Sequence, residues 1–100
     1  MIEVFAGEAL LTLGRSEHAK NVLRNVVDRR GALGEQARVL YMQSLASQEL
    51  WEQLVLFGLE YGELIRDPAR QARVSELLGD AYTSLGRHEL AAEAYAGRIR

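Results

Sequence analysis

The feature that most constrains this chain is the spaced series Leu78-Gly79-x-x-Tyr82-x-x-x-Gly86-x-x-x-x-Ala91-x-x-x-Tyr95. Large and small residues stand in it where two antiparallel helices joined by a tight turn need them. The same spacing returns near the start as Ala6-Gly7-x-x-Leu10-x-x-x-Gly14-x-x-x-x-Ala19-x-x-x-Leu23, which keeps residue size at every position except Ala6. The copies lie 72 residues apart, which leaves room for one more unit between them. A unit that recurs in this way cannot bury its apolar face alone and has to stack on its neighbours.

Helical periodicity carries the pattern along the chain. Ile2, Phe5, Ala6, Ala9, Leu10 and Leu13 recur at three- and four-residue spacing and predict a helix ending at Gly14. Ser16 is a suitable N-cap for the next helix, with Glu17 in its first turn and Ala19, Val22, Leu23, Val26 and Val27 on its apolar face. Arg29-Arg30 before Gly31 read as a C-terminal signal, and Gly31-Ala32-Leu33-Gly34 as the link to the next unit. Asp67-Pro68 predicts another boundary, with Asp67 as N-cap and Pro68 in the first helical position. No two-residue alternation and no hairpin dipeptide competes, so six helices are expected.

The middle unit departs from the series. Tyr41, Met42, Leu45, Glu49, Leu54 and Gly58 occupy its six positions, and the turn glycine is missing. A different turn conformation or a longer first helix is therefore expected near Gln48 to Leu50. Leu54 and Gly58 reverse the small-then-large order of the outer copies, a swap that can preserve packing density.

These residues resemble the tetratricopeptide repeat family, whose period is about 34 residues, strongly in the outer units and weakly in the middle one. The resemblance implies an all-α, right-handed superhelical array of antiparallel helix pairs. It makes one domain over 1–100, with repeats at about 1–33, 34–67 and 68–100. It also implies a non-enzymatic scaffold that binds a partner peptide or domain in a groove lined by the first helix of each pair. Mapped residue by residue, that groove takes Val4, Glu8 and Leu11, then Val39, Gln43 and Ala46, then Glu76, Asp80 and Thr83. Apolar at one edge and acidic at the third unit, it suits a basic or amphipathic segment. The clamp with which one subfamily grips a C-terminal carboxylate is missing: Val4, Glu8, Leu40, Arg73 and Leu77 stand at its positions, with only Arg73 of suitable charge.

Composition narrows the partners and the chemistry. Hydrophobic residues make up 48% of the 100 and charged ones 26%, which is ordinary for one globular domain. A net charge of −2, with arginine and glutamate interleaved, gives no electrostatic footprint for nucleic acid. The run Leu54 to Leu59 is far short of the roughly 20 residues that cross a bilayer, so no membrane insertion is expected. Met1 to Leu13 lacks the basic start of a secretory signal, so the compartment is cytoplasmic or, with a signal removed, periplasmic. Eleven arginines against the lone Lys20 hint at a bacterial source.

Without cysteine there is neither a disulfide nor a thiolate metal site, and His18 and His88 lack convergent ligands. No catalytic residue and no cofactor is expected. Glu89 with Glu93, and Glu76 with Asp80, read as solvated faces, and Trp51, Phe57 and Tyr61 as core, while Tyr41 fits either the helix seam or the groove. No polar cap follows Tyr95, leaving Leu90 and Ala94 as an exposed face. That implies a piece of a longer array, or a homo-oligomer through the last helix. A self-associating assembly module and an accessory domain of a larger protein therefore stand as alternatives to the scaffold.

Overall fold

Three residues with positive φ set the architecture: Gly14 at 77°, Glu49 at 57° and Gly86 at 77°. Each follows a helix, and in each turn the next residue donates back five positions, from Arg15 to Leu10, Leu50 to Leu45 and Arg87 to Tyr82, at 2.7–2.9 Å. This is the glycine-type C-terminal turn that satisfies the last helical carbonyls. The computed structural model describes residues 2–97, without the side chains of residues 2–5. It joins α1 (Ile2–Thr12) to α2 (Ser16–Leu23), α3 (Gly31–Ser47) to α4 (Trp51–Tyr61), and α5 (Pro68–Ser84) to α6 (His88–Tyr95) by these three turns. A short 3-10 turn, Gly62–Leu64, follows α4, and there is no strand among the described residues.

The middle turn corrects the sequence expectation. Glu49 adopts the left-handed conformation that its glycine counterparts use, so neither the turn nor the helix before it changes shape. The cap of α2 differs as well: Ser16 is its first residue, and Arg15 holds the cap position with no side-chain bond. In a turn this short, the residue that closes one helix also opens the next. Arg15, Leu50 and Arg87 all share φ near −90° and ψ near 70°.

The link after α2 also lies elsewhere than expected. Residues 24–30 form it, and Gly31 already begins α3, so a division at 33/34 cuts through the first turn of that helix. Gly34 is needed where it stands because a Cβ there would run into the Arg29 carbonyl. Asp67 caps α5 as expected, accepting from the Arg70 N–H at 3.1 Å with Pro68 next to it.

The first helices lie side by side, α3 against both α1 and α5, while α2 packs on α1 and α3, and α4 on α3 and α5. Gly7 and Gly79 allow the close approach within their pairs, where Leu23 and Tyr95 lie directly over them. A Cβ at Gly7 would fall 2.6 Å from Leu23 Cγ, and one at Gly79 would overlap the Tyr95 ring. The middle pair reverses this relation: fully buried Met42 stands where Gly7 and Gly79 do, and Gly58 where Leu23 and Tyr95 do. The compensating exchange is thus between Met42 and Gly58, and Leu78 of α5 fills the space over Gly58.

Two apolar clusters result. Leu23, Val26, Val27, Ala37 and Leu40 form one, and the other runs from Val39 and Met42 through Leu54, Val74 and Leu78 to Ala94. Tyr41 and Phe57 pack against both, their rings stacked with centroids 4.6 Å apart, and Tyr61 continues the stack at 4.5 Å. Tyr41 therefore belongs to the seam. At the far end Leu90 is exposed as expected, whereas Ala94 is buried against α5 and takes no part in an outer face.

Candidate partner-binding face and junction cleft

Because α1, α3 and α5 are neighbours, Glu8, Gln43 and Asp80 occupy the same register position on three adjacent helices. Glu8 and Asp80 are exposed and Gln43 is half-buried. Thr83 and Glu76 on α5 are exposed as well, Ala46 is half-buried, and Leu11 is half-buried against the first cluster. Val39 corrects the expected set, since at 7% exposure it belongs to the core and offers nothing to a partner. The Val4 side chain lies outside the described residues.

Several of these groups already have contacts. The Gln36 amide donates to Glu8 at 3.5 Å across the α1–α3 contact. Arg73 pairs with Glu76 at 2.7 Å, and the Tyr95 hydroxyl donates to Asp80. That bond to a carboxylate, with some burial, raises the Tyr95 hydroxyl above the usual tyrosine range. Arg73 is thus committed to Glu76, and Leu40 and Leu77 are buried, so no cationic clamp assembles here.

A set of polar contacts that the sequence reading did not anticipate holds the links between pairs. Arg38 on α3 is 4% exposed. Its Nε donates to the Val27 carbonyl at 2.7 Å and its Nη2 to the Arg29 carbonyl at 2.8 Å, with Cζ 6.0 Å from the centre of the Tyr61 ring. The Tyr61 hydroxyl in turn donates to Asp28 at 2.8 Å, which lifts it above its ordinary range. In the second link, Glu35 accepts from the Arg66 and Asp67 N–H groups, both at 3.1 Å, and Gln71 donates to the Ile65 carbonyl at 2.9 Å. One signal for Arg38 was available: it stands in the apolar stripe of Gly34, Tyr41 and Leu45, where only a paired arginine can be buried. Glu17 forms a further tie, from α2 to the middle turn. The Gln48 amide at 2.6 Å and the Lys20 ammonium at 3.3 Å keep its carboxyl below the usual range.

A cleft lies elsewhere than the first-helix face. It has a volume of about 950 Å³ and opens between the end of α4, the first half of α5 and the end of α6. Gly58, Gly62, Glu63, Ser75 and Tyr95 shape it, and Glu76 is the one expected groove residue on its wall. No group of three His, Cys, Asp or Glu residues placed to hold a metal occurs among the described residues. No helix there is long and apolar enough to cross a membrane.

The family model described as tetratricopeptide repeat matches residues 72–96, the span from the first turns of α5 to the end of α6. The chain carries a tetratricopeptide repeat. The match covers the Leu78 to Tyr95 series, and the tetratricopeptide repeat accounts for the Gly79 contact and the Gly86 turn as packing devices. The chain matches none of the curated proteins and none of the solved structures compared with it. A repeat of this kind points to protein–protein interaction as its role and to proteins as its partners.

Proposed function

We propose that the chain is a non-enzymatic scaffold of three tetratricopeptide units that holds a partner protein segment on the face formed by α1, α3 and α5. The observation that carries this reading is the contact of α3 with both α1 and α5, which puts Glu8, Gln43 and Asp80 in one row. Carboxylates at Glu8, Glu76 and Asp80 beside Leu11 and Ala46 favour a basic amphipathic helix over an acidic tail. With Val39 in the core, the middle of the row is narrower than the register alone implies, and Gln43 and Ala46 are its contact points.

Photo-crosslinking residues placed at Gln43 and Thr83, and separately at Glu52 and Glu89 on the second helices, test this reading. One partner captured from both Gln43 and Thr83 is the expected result. Capture confined to Glu52 and Glu89 would overturn the face.

A further inference from the structure

The two junctions between helix pairs differ in a way that explains the cleft. In register, Arg38 corresponds to Ser75, Leu23 to Gly58 and Val27 to Gly62. At the first junction those three side chains are buried, and the Arg38 guanidinium fills the centre, satisfied by two carbonyls and the face of Tyr61. At the second junction Arg38 and Val27 give way to Ser75 and Gly62, which leave their space open, while Leu78 covers the third position, Gly58. The task of holding the link has passed to Gln71, which bonds the Ile65 carbonyl. What remains is the 950 Å³ cleft with Ser75 on its wall, at 9% exposure.

The charge around this space has one sign. Glu63 and Glu76 stand on its wall, and no basic residue lines it among the described residues. Glu76 is paired with Arg73, but Glu63 has no ion-pair partner among the described residues. Tyr95, 49% exposed, and Leu59, 44% exposed, give the rim an aromatic and an apolar edge. A planar cation with an alkyl stem matches this combination better than a compact ammonium, because it can bond in its plane while an aromatic ring covers its face.

We infer that the cleft between α4, α5 and α6 receives an arginine side chain from a partner protein, in the place that Arg38 fills at the preceding junction. The guanidinium pairs with Glu63, and apolar neighbours of that arginine lie on Leu59 and Tyr95. This surface is separate from the α1–α3–α5 face and stands or falls independently of it.

The test is a titration of the full chain, followed by amide NMR, with a pentapeptide whose central arginine is flanked by leucines. A second peptide carries citrulline, the neutral isostere, in place of the arginine. Saturable shifts at Gly58, Gly62 and Gly97 are expected, with the citrulline peptide about tenfold weaker or more. Glu63→Gln should weaken the arginine peptide toward the citrulline level. Ser75→Arg should supply the guanidinium from within, abolishing peptide binding while the chain melts at or above the parent temperature.

Equal binding of the two peptides, no shift at the three glycines, or a Ser75→Arg chain that melts well below the parent would each overturn the inference. So would a silent parent chain whose Arg98→Ala variant binds the peptide, because the occupant would then be the chain's own terminus.

Discussion

Glu49 shows at the scale of one residue how a repeated turn geometry can outlast the residue type that suits it. A non-glycine side chain at φ 57° crowds its own carbonyl, a cost of about 1–2 kcal/mol for most residue types. Glu49 is exposed, so glycine can replace it without opening a cavity. Glu49→Gly should stabilise the fold by about 1 kcal/mol and raise the melting temperature by roughly 4–8 °C; a melt that is unchanged or lower would contradict this account of the turn. Tyr61 gives a prediction in pH. Its hydroxyl donates to Asp28 and its folded value is raised above the ordinary one near 10, so the bond's contribution is complete below that pH and fades as pH climbs through the raised value. Phenolate absorbance should show two tyrosines, Tyr61 and Tyr95, titrating late in the native chain, and Tyr61→Phe should remove one of these late steps and flatten the alkaline loss of stability. Tyr95, raised by Asp80, leaves the other late step in that variant.

Between elements, the decisive contacts are polar clamps on short links. Arg38 satisfies two carbonyls in the 24–30 link from within α3, and both would lose their partner if the guanidinium were removed. Arg38→Met keeps the stem packed but leaves the carbonyls unpaired, and should cost about 3 kcal/mol in denaturant unfolding. Amides of residues 24–30 should lose exchange protection first. Within the last pair, Ala91 is 4% exposed in the α5–α6 interface, where Tyr95 lies directly over Gly79. Ala91→Leu has no space to enter and should destabilise the chain by about 1–3 kcal/mol, read by thermal melting. The periodic apolar residues made the helices legible, and the glycine turns fixed their pairing. The clamps were not legible because the residues that make them, Glu35, Arg38 and Gln71, act on backbone atoms of the links, 6–32 positions away. No local pattern encodes such a partner.

Over the whole molecule, which extends 38 × 26 × 18 Å, the two apolar clusters meet through the stacked pair Tyr41 and Phe57. Stacked repeats transmit stability through nearest-neighbour contacts, so a narrow bridge lets one end open before the other. Tyr41→Ala should therefore separate the two ends. Native-state hydrogen exchange should show α1 and α2 opening at a lower free energy than α4 to α6, with a wider gap than in the parent chain. Uniform loss of protection would mean that the clusters behave as one core. At this scale the repeat register was legible, since it maps equivalent positions of α1, α3 and α5 onto neighbouring helices. Val39 was the exception, buried by packing that the register does not describe.

The sequence by itself determined the helix pairs, their three turns and the Asp67-Pro68 start of α5, because each depends on residues within one or two helical turns of one another. Even the unusual turn at Glu49 was located correctly, and its conformation followed from the hydrogen bonds that close the helix before it. Only the tertiary structure decided which residue fills the space over each glycine, and that Met42 and Gly58 exchange volume across the middle pair. It also decided that Arg38 fills one junction while Ser75 leaves the next one open. Those outcomes depend on how closely separate helices approach, a distance set by the summed volumes and polar contacts of both neighbours and by no single segment of the chain.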